Sequence, residues 1–132
     1  MLTFSARLNR LFDTVYPPGR GPYSGAEAIS ALGEAGVKMS APYLSQLRSG
    51  NRTNPSATTM AALAKFFGVK AAYFTDDYYH RELDKELTWL EITRDEHIRR
   101  IAERAWALSP QGRRELELKA EELLAGERGA GT

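Results

Sequence analysis

The sequence predicts an all-α protein in two parts, five short helices followed by three longer ones. Three observations predict it. Apolar residues recur at helical spacing along most of the chain. Ser, Asp, Pro and Gly fall where helices start and stop. No stretch carries a strand signal. Charge then divides the chain: residues 1–70 hold eight Lys/Arg and three Asp/Glu, and residues 71–132 hold ten and fourteen. The net charge of +1 conceals this split. A basic part joined to an acidic part suggests that only the first faces a polyanion.

The elements follow in order. In "TFSARLNRLFDTVY", Phe4, Leu8, Leu11, Phe12 and Val15 share one helical face, and Pro17 and Pro18 stop the helix. "PPGRGPY" is a connector. Ser24 and Glu27 form a capping box for a second helix, with Ala28, Ile29 and Leu32 inward and Gly36 as the stop. Ser40 caps a third helix with Pro42 in its first turn, Met39 and Leu44 spaced as a hydrophobic staple, and Gly50 at its end. "ATTMAALAKFFGV" is a fourth helix, and "KAAYF" a short fifth turn that packs Tyr73 and Phe74 on the core. "TDDYYH" is the expected boundary, giving domains at residues 1–75 and 76–132, with Asp76 or Asp77 capping the next helix. That helix carries Leu83, Leu87 and Leu90. Another carries Ile98 and Ile101. Ser109-Pro110 starts the last, with Leu116, Leu123 and Leu124, and "GERGAGT" is expected to fray.

Composition narrows the classes. With no cysteine, disulfides, Cys-zinc sites and thiol chemistry are excluded. No apolar run approaches the roughly 18 residues of a bilayer span, and "MLTFSARLNRLF" lacks a signal-peptide core. The expected location is the cytoplasm, with no membrane partner.

The third helix has an unusual surface. At about 100° per residue, Leu44 and Leu47 point inward. Pro42, Ser45, Gln46 and Ser49 fall opposite them, and Tyr43 and Arg48 lie on the flanks. The outer face holds small or flat hydrogen-bonding groups, and residues 35–75 contain no acid. Such a face suits a DNA major groove, where Gln can pair with adenine and Ser with either kind of base edge. Arg48, Asn51, Arg52 and Asn54 follow at the helix end, placed for phosphate oxygens. A solvated face of a small bundle would also be polar, so this face alone leaves both readings open.

"YLSQLRSGNRTNPSATTMAALAKFFGV" resembles the Cro/lambda-repressor (XRE) helix-turn-helix family in its "LS-x-L", the Gly and basic residue after it, the Pro-Ser, and "L-A-x-x-F-G-V". The turn is two residues longer than the family pattern: Lys38 stands where the family has Gly, and Gly36 lies earlier. The resemblance implies a lambda-repressor-like domain that binds double-stranded DNA through the helix starting at Ser40. It implies base contacts from Pro42, Tyr43, Ser45 and Gln46, and backbone contacts from Arg48, Asn51, Arg52 and the amide end at Ser24. "LNRLFDTVYPPGRGP" and "AAYFTDD" extend the likeness to nucleoid-associated members of the family. That implies broad regulation by bridging DNA sites, control of secretion- or virulence-type genes, a homodimer and higher assemblies on DNA.

The acidic part has apolar stripes and no identifiable chemistry. Leu83, Leu87, Leu90, Ile98, Ile101, Leu116 and Leu123 are the expected dimer interface, the alternative being that these helices pack only on one another. An enzyme needs convergent polar groups. The two histidines, His80 and His97, lie far apart, and His80 with Asp84 makes only a weak metal pair. No phosphate loop is present, and no catalytic residue, metal site or cofactor is expected. The rival reading is a protein-interaction module, antitoxin-like or adaptor, built on the same fold.

Overall fold

The computed structural model describes residues 2–130. All regular structure among them is helical: α1 (Phe4–Thr14), α2 (Gly25–Glu34), α3 (Ala41–Ser49), α4 (Ala57–Phe67), α5 (Ala72–Thr75), α6 (Asp77–Arg94), α7 (Glu96–Ala107) and α8 (Pro110–Ala130). Local chemistry explains most boundaries. The Thr3, Ser24, Ser40, Ser56 and Asp95 side chains each accept an amide from the first turn of the helix they precede. Asp76 Oδ1 accepts the amides of Tyr78 and Tyr79 at 2.9 and 3.1 Å, so it caps α6. Gly50 and Gly68 end α3 and α4 in the left-handed conformation, at φ 86° and 74°, which only glycine adopts cheaply.

The chain forms two compact units, Met1–Leu90 and Glu91–Thr132. The first has a continuous core: Leu8, Leu11 and Phe12 from α1, Ala28 and Leu32 from α2, Leu44 and Leu47 from α3, Leu63, Ala64 and Phe67 from α4, and Tyr73 and Phe74 from α5. Phe12 meets Phe67 edge-on at 4.9 Å, a favoured aromatic geometry.

This unit continues past residue 75, because α1 grips the first turns of α6. Arg7, almost fully buried, donates to the Tyr73 carbonyl at 3.0 Å and to the Asp77 carboxylate. Arg10 donates to Asp84 and to Thr88, both at 2.8 Å. Leu87 is 3% exposed and joins the core, and Leu83 packs against it. Leu87 is therefore not on a free face, as a place in a dimer interface requires. The leucine stripe of α6 is used at this level by its own chain.

The second unit is a helical hairpin of α7 and α8. Arg113 closes it, donating to the carbonyls of Ala105 and Trp106 at 3.0 and 2.7 Å and lying 5.1 Å from the Trp106 ring. No residue of α7 or α8 is buried. The expected fraying from Gly126 onward does not hold as far as Ala130, which is helical; residues 131 and 132 lie outside the described residues. Once earlier turns exist, each further residue adds a bond at little cost, so the helix runs through its glycines.

Candidate nucleic-acid interface

α3 sits against α1 and α2. Its N-cap, Ser40, accepts the Tyr43 amide at 3.1 Å. Leu44 and Leu47 are 1% and 0% exposed, and burying each contributes about 1.5–3 kcal/mol. That anchoring leaves Pro42, Ser45 and Ser49 exposed, with Tyr43 and Gln46 half-buried beside them. The expected readout residues thus share the outer side of one seated helix.

Beyond α3 the chain turns back. With Gly50 left-handed, the Arg52 amide reaches the Gln46 carbonyl at 3.1 Å. The Ser49 hydroxyl also donates to that carbonyl, at 3.2 Å, and accepts the Asn51 amide at 3.4 Å. The Arg52 side chain folds over the helix: its Nε donates to Gln46 Oε1 at 3.1 Å, and its guanidinium lies 6.0 Å from the Tyr43 ring. Asn51, Arg52 and Asn54 are exposed.

Arg48 also makes contacts within the chain. Its Nε donates to Asn9 Oδ1 at 2.8 Å, and its guanidinium stands 4.0 Å over the Phe12 ring. Asn9 Nδ2 returns a bond to the Arg48 carbonyl at 2.8 Å. The side chain expected on a phosphate is therefore held along α1, half-buried at the edge of the cleft beside Ser45 and Ser49, with its charge against an aromatic face.

At the start of α2 the capping box is complete: Ser24 Oγ accepts the Glu27 amide at 3.1 Å, and the Ser24 amide donates to Glu27 Oε1 at 2.9 Å. The Ser24 amide is thus committed within the box, as the sequence predicts. The donors left there are the first-turn amides of Gly25 and Ala26, which have no helical acceptor. Arg20 forks onto Glu27 at 2.7 and 2.8 Å and lies 4.6 Å from the Tyr23 ring. With Arg20 and the Ser24 amide beside it, the Glu27 carboxyl is held down to about 2. Glu27 therefore stays ionised, and its charge is balanced locally by Arg20. A shallow cleft of about 500 Å³ lies between this helix end and α3, lined by Gly25, Ala26, Ser45 and Ser49 among others.

Asn9 and Arg20 are the residues that sequence reasoning missed. Asn9 lies 39 positions from its partner Arg48 and carries no local signal. Arg20 sits in a Pro/Gly connector outside any helix, seven residues from Glu27, so helical periodicity does not pair them. The pair His80 and Asp84 is not a metal site in form: the His80 ring is buried 4.9 Å from Tyr73, and Asp84 accepts from Arg10. Tyr73 and Phe74 are core residues as well.

A polar helix seated on a capped neighbour, in an acid-free stretch, defines a class, and comparison with known proteins agrees. The family described as Helix-turn-helix matches residues 30–74, which gives the chain a helix-turn-helix DNA-binding domain of XRE type. The chain is also 63% identical over 125 residues to the nucleoid-associated protein EspR of Mycobacterium tuberculosis, in strains CDC 1551 / Oshkosh and ATCC 25618 / H37Rv, with 95% of each chain covered. It belongs to the same family as EspR. No helix among the described residues is long and apolar enough to cross a membrane.

Proposed function

We propose that this protein is a nucleoid-associated DNA-binding regulator that works as a homodimer, seating α3 in the major groove of double-stranded DNA. The observation that carries the reading is the face of α3. Leu44 and Leu47 fix the helix, while Pro42, Tyr43, Ser45, Gln46 and Ser49 remain outward in a stretch with no carboxylate between residues 35 and 75. Phosphates lining a groove would repel acid there, and base edges can be reached by short polar groups. Asn51, Arg52, Asn54 and the α2 end at Ser24 to Ala26 flank that face as backbone contacts. Arg48 supports it from behind, by holding α3 to α1.

Dimerisation rests on the second unit. Ile98, Ile101, Leu116 and Leu123 are 36–58% exposed, and α7 and α8 bury nothing in one chain. A hairpin of this kind lacks a core until a second copy covers it. The unit that ends at Leu90 would carry DNA binding, and α7 and α8 association. The name of EspR and 63% identity to it support the nucleoid-associated role. Bridging of distant sites, higher assemblies on DNA and control of secretion- or virulence-type genes belong to the same proposal. Genome-wide footprinting at two salt concentrations, with mass measured in parallel, tests it. Many salt-sensitive sites and a dimer mass are expected; capture of protein without DNA protection would favour an adaptor.

A further inference from the structure

Given the DNA-binding reading above, one carboxylate of the first unit stands where phosphates would be repelled. Residues 1–75 contain three acids, Asp13, Glu27 and Glu34. Glu27 lies in the first turn of α2, at the end whose Gly25 and Ala26 share a cleft with Ser45 and Ser49 of α3. Its side chain is drawn further toward that end, because Oε1 accepts the Ser24 amide at 2.9 Å. Glu34 is the last residue of the same helix, at its other end. The cap therefore fixes a negative charge beside the α3 face, and Glu27 keeps that charge at neutral pH, since its carboxyl is held down to about 2.

Arg20 pairs with that charge. Both carboxylate oxygens accept from it, Oε2 from Nη1 at 2.7 Å and Oε1 from Nη2 at 2.8 Å. The guanidinium is also held by its own segment. Nε donates to the Gly21 carbonyl at 3.0 Å and Nη2 to the Pro22 carbonyl at 3.4 Å. The group lies 4.6 Å from the Tyr23 ring, itself 5.0 Å from Phe66. One Nη1 hydrogen is left over; the other donors are engaged. An exposed ion pair contributes little to folding, but a bidentate pair has no net charge, so its field falls off faster with distance than that of a lone carboxylate. We infer that Arg20 is a positioning residue for DNA that acts through Glu27: its fork cancels the capping charge, so that α2 keeps its cap without repelling the phosphates beside α3.

The test is fluorescence anisotropy of a labelled duplex with the full chain at about 50 and 200 mM salt. It compares the wild type, Arg20→Ala, Glu27→Gln, the double variant and Glu34→Gln, with thermal unfolding to show that each is folded at the assay temperature. Glutamine keeps the capping box. Arg20→Ala should bind about fivefold more weakly at the lower salt and about twofold at the higher, because salt screens the exposed carboxylate. The double variant, neutral at both positions, should recover the affinity and salt slope of the wild type. Glu27→Gln should bind more tightly than the wild type, and Glu34→Gln, the same charge change at the far end of α2, should gain less. If Arg20→Ala binds as the wild type does, the inference is overturned. If the double variant stays weak and its salt slope falls by about 0.9, Arg20 is itself a phosphate contact; if it stays weak with the slope unchanged, Arg20 only orders the connector. Equal gains from Glu27→Gln and Glu34→Gln would reduce the effect to net charge. Each of these results overturns the inference and leaves the DNA-binding reading standing. If the wild type binds no duplex, that reading fails and takes the inference with it.

Discussion

Asn9 and Arg48 exchange two hydrogen bonds of 2.8 Å, one in each direction, and so clamp α3 to α1. The Arg48 guanidinium completes the joint by lying 4.0 Å over Phe12. The orientation of α3 therefore depends on a half-buried charged residue.

Arg48→Ala should accordingly act on stability. Removing one hydrogen bond to a charged group and a cation–π contact is expected to cost about 1–3 kcal/mol in urea unfolding. Asn9→Ala should cost a similar amount, and the double variant less than the sum, because the two residues share one interaction. The salt dependence of DNA binding should stay as in the wild type for both. A reduced salt slope with unchanged stability would return Arg48 to the phosphates.

Leu87→Ala should destabilise the first unit by about 2–5 kcal/mol, since Leu87 is 3% exposed in that unit's core. Light scattering at temperatures where the variant remains folded should still give the dimer mass. Dissociation without loss of stability would place Leu87 at a subunit interface.

Ile101→Asp should do the opposite. Ile101 is 42% exposed on α7, so the single chain loses little packing, while an apolar subunit contact would bury a charge. Light scattering should give half the wild-type mass, with the unfolding midpoint of the first unit little changed. An unaltered mass would remove α7 from the interface.

Acid should weaken the first unit through His80. Burial, and then the Arg7 charge, push its pKa below the usual 6.5. The folded state therefore favours neutral His80, while the unfolded chain takes up a proton at about 6.5. The unfolded state binds more protons in that window, so stability is full above about pH 6.5 and falls as pH drops toward the folded pKa. Asp77, lowered chiefly by its bond from Arg7, adds a loss that begins near the ordinary aspartate range. Thermal unfolding against pH should show the slope below 6.5 in the wild type and a smaller one in His80→Phe.

Much of this architecture could be read from residues whose effect is local. Ser24 with Glu27, Ser40 with Pro42, and Gly50 each act within one turn, and each bounds a helix where expected. The two inward leucines of α3 were likewise legible, because helical spacing alone puts them on one face. Direction was not. Arg48 lies on a flank of α3, and only the tertiary position of Asn9 decides that it lies along α1. Leu83 and Leu87 form a stripe that fits a partner chain or the same chain equally well. Arg10, more than seventy residues from its partners Asp84 and Thr88, selects the same chain. The capping box was legible in both directions, including the bond from the Ser24 amide to Glu27, because both partners lie within one turn.

In the proposed function, the stretch without acid between residues 35 and 75 delivers α3 to duplex DNA. Fluorescence anisotropy of a labelled duplex, titrated with the full chain between about 50 and 200 mM salt, tests it most directly. The logarithm of affinity should fall steeply and linearly with the logarithm of salt, by about 0.9 for each phosphate neutralised, with several phosphates engaged per subunit. An affinity that does not change with salt would contradict the account.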